Sequence, residues 1–236
     1  MATPPGFAPE QIRLVLFDLA GTTVKDDAGG ASLVVTTMVE TFREAGLSLT
    51  PAAVAAHRGR DKREVIQRLL EANPPAPTQR LLAEPEQLLA RFLARLDEHV
   101  HELQEIPGSA ATFAFLQARG VRVGVGSGFP LDLVQRIVAR MGWLQRKLID
   151  YVESTETFGA GRPAPLMIQD AMRSFGLGDA RAVIKVGDTP VDIEEGRNAG
   201  VWTVAVTTGS QSLETLQAYR PDFLLTSVAE LPDLLH

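Results

Sequence analysis

Four short, nearly all-apolar runs that each end on a polar residue constrain this 236-residue chain more than any other feature. They are Ile12 to Phe17 ending at Asp18, Val121 to Gly126 ending at Ser127, Ala182 to Val186 ending at Gly187 and Asp188, and Val201 to Val206 ending at Thr207. Runs of five or six apolar residues without alternation read as strands covered on both faces, the situation of a parallel sheet. Helical patterns lie over about 108–119, 130–141, 163–176 and 190–199, several stopped by Gly120, Gly142, Gly176 and Gly200. The alternation predicts an α/β fold with a doubly wound parallel sheet, Rossmann-like in outline.

Between the first and second strands this rhythm breaks. From about 27 to 105 the sequence offers helical stretches and no good strand: 37–45, the run from Asp61 to Leu70, and Glu84 to His101, with a Pro-rich loop at 73–77. The expected division is a catalytic core of 1–26 and 106–236 with an inserted α-helical cap domain over 27–105, hinged near Asp26–Gly30 and Glu105–Gly108. The apolar stretch from Leu88 to Leu96 suits either packing inside the insert or pairing two copies, so a homodimer stays open.

Composition narrows the partners. Hydrophobic content of 45% and charged content of 22% fit an ordinary globular protein. A net charge of −6 argues against nucleic acid, which requires a basic footprint. No apolar run is long enough for a bilayer, so no membrane partner is expected. Residues 1–11 lack the basic and apolar regions of a secretory signal, which makes a cytoplasmic location the default. Without cysteine there are no disulfides and no thiolate metal ligands.

Ligands of open α/β sheets bind beyond the carboxyl ends of the strands. A polar strand end alone can simply cap the next helix, which is an adequate account of Thr207 and an equal rival for Ser127. Carboxylates at the ends of two buried strands, Asp18 and Asp188, are harder to dismiss. Facing each other they repel unless a cation lies between them. Mg²⁺ is the natural ion for an all-oxygen site that assists phosphoryl chemistry.

The run Asp18-Leu19-Ala20-Gly21-Thr22-Thr23 resembles the nucleophile loop of the haloacid dehalogenase superfamily, Ser127 its second motif, and Gly187-Asp188-Thr189-Pro190-Val191-Asp192 its metal-binding fourth motif. The motifs stand in family order, and the insert falls where that family carries a helical cap. The resemblance implies that Asp18 is the nucleophile and a metal ligand, with Asp188 and the Ala20 carbonyl as further Mg²⁺ ligands. It implies that Asp192 holds a metal water or orients the loop, and that Thr22 and Ser127 donate to phosphoryl oxygens. Gly21 lets the backbone approach that group.

Two departures carry the substrate information. Superfamily phosphatases commonly have an acid two positions after the nucleophile; here it is Ala20, which cannot move a proton. Acid assistance of this kind is worth roughly 10²–10⁴-fold. The cation of the third motif is Arg162 in Gly161-Arg162-Pro163-Ala164-Pro165, with Pro163 expected in the first helical turn and Lys185 as a competing cation. Taken alone, an Arg before Pro is usually a surface residue.

Asp-x-Ala-Gly-Thr-Thr together with Gly-Arg-Pro-x-Pro looks like phosphonoacetaldehyde hydrolase (phosphonatase) and its relatives. That family uses a cap lysine to form a Schiff base with the substrate aldehyde, which removes the need for an acid at Ala20. Lys62 in Arg58-Gly59-Arg60-Asp61-Lys62 matches its Gly-x-x-Lys pattern. A solvated helix start is the plain alternative, although nearby cations would lower the pKa of such a lysine.

The family's pattern has Met before that Gly, His three positions after that Lys, and Trp after the Pro of the third motif. This chain has Arg58, Val65 and Leu166, with His57 at a different offset. Arg58 could therefore pair with an extra hydroxyl or anionic group on a related 2-oxoalkylphosphonate. The expectation is a Mg²⁺-dependent hydrolase of a small phosphonate, cleaving its C–P bond. The rivals are a phosphomonoesterase of the same superfamily acting on a small phosphorylated metabolite, and a phospho-ligand sensor without turnover.

Overall fold

The computed structural model describes residues 4–28 and 31–236. Its main sheet has six parallel strands in the order β5-β4-β1-β6-β7-β8. These are β1 (Leu14–Asp18), β4 (Arg122–Ser127), β5 (Tyr151–Ser154), β6 (Val183–Gly187), β7 (Trp202–Val206) and β8 (Phe223–Leu225). The order reverses at β1: the chain winds out through β4 and β5, then returns to the other side of β1 with β6. Ligand crevices in such sheets open at this switch point.

β1 is buried along its whole length, and its side chains divide by the strand period of two. Val15 and Phe17 enter the larger core cluster, while Leu14 and Leu16 face Met167, Ile168, Ala171, Val183 and Val201 on the other side. Phe17, Phe113 and Trp143 stack edge to face with centroids 5.0 and 5.1 Å apart. Truncating a ring such as Phe17 to Ala would cost about 3–5 kcal/mol.

The connecting helices of the core are α5 (Ser109–Ala118), α6 (Leu131–Met141), α7 (Leu166–Ser174), α8 (Pro190–Ala199), α9 (Leu213–Ala218) and α10 (Leu231–Leu234). Gly120, Gly142, Gly176 and Gly200 all take positive φ at or just beyond the helix ends. β5, β8, α9 and α10 escape the sequence reading because they are short and only partly covered. Pro163 is not in a helical turn, contrary to expectation. α7 starts at Leu166, and residues 161–164 form a turn closed by Ala164 N–H donating to the Gly161 carbonyl at 3.1 Å.

The segment after β1 is mostly helical: α1 (Leu33–Glu44), α2 (Pro51–Ala55), α3 (Lys62–Ala72) and α4 (Pro85–Glu98). Against expectation it also holds two short strands, β2 (Asp27–Ala28) and β3 (Ala31–Ser32), paired antiparallel. Two-residue strands leave no hydrophobic period to detect. Gly29 and Gly30, the end of the first expected hinge, lie outside the described residues.

On α4, Leu88, Leu89, Phe92 and Leu96 are buried, and the helix packs on α1 and α3, so this apolar face is used within the chain. The connectors run side by side. Lys25 N–H donates to the Gln104 carbonyl at 2.8 Å, and Ile106 N–H to the Thr23 carbonyl at 2.9 Å. Among the described residues no helix is long and apolar enough to cross a membrane.

Candidate active site

Because β4 and β6 flank β1 in parallel, their carboxyl ends bring Asp18, Ser127 and the residues after Gly187 into one crevice. Carboxylate oxygens of Asp18, Asp188 and Asp192 all lie within 4.8 Å of one another, and all three residues are buried. Each is fixed locally. Asp18 closes β1, its carbonyl accepting from Thr23 Oγ1 at 2.9 Å. Asp192 sits in a reciprocal capping box with Thr189 at the start of α8. Asp188 is crowded by glycines. A Cβ on Gly21, whose φ is +94°, would lie 2.5 Å from its Oδ2, and one on Gly209 would collide with the same atom.

Arg162 enters this cluster from the turn before α7. One Nη donates to Asp18 Oδ1 at 2.6 Å and to Asp192 Oδ1 at 2.7 Å, and only 2% of the residue is exposed. It is therefore not a surface residue. Lys185 lies on the far side, 3.2 Å from both Asp192 Oδ1 and Glu195 Oε2. Gly196 makes room, since a Cβ there would lie 3.1 Å from that of Lys185. The two cations share Asp192: Arg162 links it to Asp18, and Lys185 links it to Glu195.

Thr22 Oγ1 donates to Asp188 Oδ1 at 2.9 Å. The Ser127 hydroxyl accepts from Phe129 N–H at 3.3 Å, leaving its own proton available. From the helical segment, Arg58 and Lys62 reach the same place. With Asp18, Ala20, Ser127, Phe129, Arg162 and Thr189 they line a chamber of about 30 Å³. Lys62 Nζ donates to the Arg60 carbonyl at 2.9 Å and lies 4.8 Å over the Phe129 ring. Arg58 pairs with Asp26 and Ser32 through one Nη. Its other Nη is 3.4 Å from the Ala20 carbonyl and 3.8 Å from Asp188 Oδ2. Glycines seat this turn on the core: a Cβ on Gly59 would lie 2.5 Å from Thr189 Oγ1, and one on Gly128 2.6 Å from the Arg60 carbonyl.

Burial, then Asp18 and Asp192, push the Asp188 carboxyl up to about 8 against the pull of Arg58 and Thr22. Burial also raises Asp18, although Arg162 opposes it. Burial would raise Asp192 too, but Lys185 and Arg162 outweigh it and hold that carboxyl below its ordinary range. Lys62 is lowered to about 8, chiefly by burial and next by the charges of Arg162 and Arg58.

The cluster fits a divalent cation. Asp188 Oδ2 is buried with no hydrogen-bond partner. Five carboxylates (Asp18, Asp26, Asp188, Asp192, Glu195) face four cations (Arg58, Lys62, Arg162, Lys185), so the fully ionised cluster has one surplus negative charge before any anionic ligand arrives. Buried carboxylates in this state are normally neutralised by protons or by metal.

Several participants are invisible to sequence reasoning. Asp26 and Ser32 hold Arg58, Glu195 balances Lys185, and Thr208 Oγ1 donates to the Gly21 carbonyl at 2.7 Å beside Gly209. For Thr208 and Gly209 the signal was their place just after a buried strand. The others have none beyond being polar.

A strand-end carboxylate cluster at the switch point of a parallel sheet, with a basic turn folded over it, has the form of a hydrolase site. The haloacid dehalogenase-like hydrolase model matches residues 12–200, and the chain belongs to that family. Within it, the chain is 33% identical over 217 residues to a phosphonoacetaldehyde hydrolase of Bacillus cereus, covering 86% of this chain and 78% of the relative. Among solved structures, a phosphonoacetaldehyde hydrolase-like protein of Oleispira antarctica superposes with a TM-score of 0.78 at 24% identity, over 100% of this chain and 95% of that one. A predicted phosphoglycolate phosphatase of Haemophilus somnus gives 0.79 at 19% identity, over 96% and 99%. Phosphonoacetaldehyde hydrolases are thus among its relatives within that family, and the last two likenesses speak for the fold alone.

Proposed function

We propose that this enzyme cleaves the C–P bond of phosphonoacetaldehyde or a closely related 2-oxoalkylphosphonate, with Asp18 as nucleophile and Lys62 as the imine-forming amine. The observation that carries this is the place of Lys62: its amine is buried, lowered to about 8, and lines the same chamber as Asp18, Ser127 and Arg162. An amine lowered this far is neutral in a useful fraction near neutral pH, as carbonyl attack requires.

Mg²⁺ is the ion we assign, held by Asp18, Asp188 and the Ala20 carbonyl; when bound it screens the phosphonyl charge from the carboxylates. The chain's own groups do the rest. Arg162 grips a phosphonyl oxygen beside Asp18, with Ser127 as a further donor, while the Thr22 hydroxyl holds Asp188 in place. Lys62 adds to the carbonyl carbon and, with loss of water, gives a protonated imine. Asp18 attacks phosphorus, the C–P bond breaks, and its electron pair flows into the imine to leave an enamine on Lys62. Protonation of the enamine carbon and hydrolysis return the aldehyde and the free amine, and water releases phosphate from the aspartyl phosphate. Ala20 suits this route because the imine takes the electrons that would otherwise require an acid.

Residues 27–105 act as the cap in this reading. The chamber has room for little more than a water or two, so the turn bearing Lys62 must lift to admit substrate. A cleft of about 330 Å³ lined by Lys62, Gln67, Thr155 and Gly161 adjoins it and supplies the approach.

The test is phosphate release from phosphonoaldehydes and phosphate esters, with and without Mg²⁺, together with borohydride trapping. An adduct on Lys62 is expected with the aldehyde. Faster turnover of esters with no adduct would make the enzyme a phosphomonoesterase instead.

A further inference from the structure

No step of the chemistry uses Phe129, yet its ring lies under the reacting amine, with Lys62 Nζ 4.8 Å from the ring centroid. The hydrogen bond of that nitrogen goes to the Arg60 carbonyl at 2.9 Å, and among the described residues no carboxylate forms an ion pair with it. The ring is placed by the core. Phe129 N–H donates to Ser127 Oγ at 3.3 Å at the end of β4, its carbonyl accepts from Ser154 Oγ at the end of β5, and only 3% of the residue is exposed. Gly128 lets the Arg60 carbonyl come close, since a Cβ there would lie 2.6 Å from it. The ring belongs to the core and the lysine to the turn folded over it, so their contact exists only while that turn is seated.

A protonated imine needs more support at this place than an amine does. Burial, and after it Arg162 and Arg58, disfavour positive charge on the nitrogen, and Asp18 and Asp61 oppose them only in part. An imine is a weaker base than its parent amine, so the same surroundings would strip its proton and with it the capacity to draw electrons from the C–P bond. The negative face of an aromatic ring attracts a desolvated cation and, unlike a carboxylate, is no base that could take the proton.

We propose that the Phe129 ring, with the Arg60 carbonyl, holds the imine nitrogen of Lys62 in its protonated form, which makes Phe129 a catalytic residue of C–P cleavage. The inference rests on the reading that Lys62 forms the imine. Condensation of the neutral amine with the carbonyl replaces both N–H bonds by C=N with loss of water, and the proton then taken up gives back one N–H. That N–H keeps the bond to the Arg60 carbonyl while the ring faces the charge. When the C–P bond breaks, its electron pair neutralises the nitrogen, and the attraction of the ring ends with the charge.

The test places mono-, di- and trifluorophenylalanine at position 129, which weakens the negative face stepwise with little change in size, beside Phe129→Leu. Cyanoborohydride reduces protonated imines in preference to neutral ones, so the rate of adduct formation on Lys62 with phosphonoacetaldehyde, followed by mass spectrometry at one fixed pH, reads the cation directly. The rate should fall with each fluorine, to about a tenth in the trifluoro protein, and phosphate release should fall with it. Phe129→Leu should fall at least as far, with thermal melts establishing that each variant is folded. A rate indifferent to fluorination would make the ring a packing group and overturn the inference, and so would a rate that rises. Equal rates in wild type and folded Phe129→Leu would overturn it on their own. Absence of any Lys62 adduct in wild type, with borohydride as with cyanoborohydride, would instead remove the imine reading on which the inference rests.

Discussion

The two halves of the site are built on different principles. The acidic half, Asp18, Asp188 and Asp192, stands on strand ends and the first turn of α8, with short side chains and backbone positions set by parallel pairing. The basic half, Arg58 and Lys62, stands on long side chains at a turn between α2 and α3, and that turn is seated on the core by close packing of Gly59 and Gly128 and by the pairing of Arg58 with Asp26 and Ser32. The acidic half is therefore rigid and pre-formed, while the basic half depends on how two parts of the chain meet. Chemistry that must be exact belongs on the first, and gating on the second.

The comparison is broken most severely by removing the proposed nucleophile. Asp18→Asn should lower phosphate release by about four orders of magnitude or more, and the variant should stay folded, since Arg162 keeps Asp192 as partner. Circular dichroism and a phosphate assay check both halves of the statement. Lys62→Met should cost about three orders of magnitude in C–P cleavage and abolish borohydride trapping. An unchanged adduct would show the imine to lie elsewhere.

Gly59→Ala tests whether the basic half is held by packing. With φ at +83° and its Cβ 2.5 Å from Thr189 Oγ1, the variant should prop the turn open. Turnover should fall by roughly 10–100-fold with the Mg²⁺ site retained. The Mg²⁺ affinity itself should be pH-dependent. Asp188, raised to about 8, is protonated below that pH, so the ion must displace a proton and its apparent affinity should fall about tenfold per pH unit below 8. A titration series at several pH values reads this slope directly.

A further effect concerns stability. Lys62 titrates near 8 when folded and near 10.5 when unfolded, so between these values the unfolded chain holds the extra proton and stability rises with pH. Below pH 8 the full cost of the buried charge is present. Lys62→Met should therefore stabilise the protein by up to about 3 kcal/mol at pH 7, with the advantage shrinking towards pH 10.5. Denaturant melts across that range decide the point.

How much of this was legible beforehand follows the same division. Asp18, Ser127 and Asp188 could be read because each ends an apolar run, and the covered faces of β1, β4, β6 and β7 leave a continuous hydrophobic signal. β5 and β8 could not, because edge strands of three or four partly covered residues carry little pattern. Arg162 was singled out from its motif, but its burial against two carboxylates was not visible, since an Arg before Pro has the same sequence signature on a surface. Pro163 misled for the same reason: a proline marks a helix start or a turn alike.

The sequence by itself determined the alternation of strand and helix, the strand-end carboxylates and the site of the helical insertion, because hydrophobic period and chain order are local properties. Tertiary structure alone decided which charges meet: Arg162 with Asp18 and Asp192, Lys185 with Glu195, and Arg58 with Asp26 and Asp188. Charge pairing in a buried site depends on distances between residues as much as 144 apart in the chain, as for Arg162 and Asp18, and no local pattern encodes a distance of that kind.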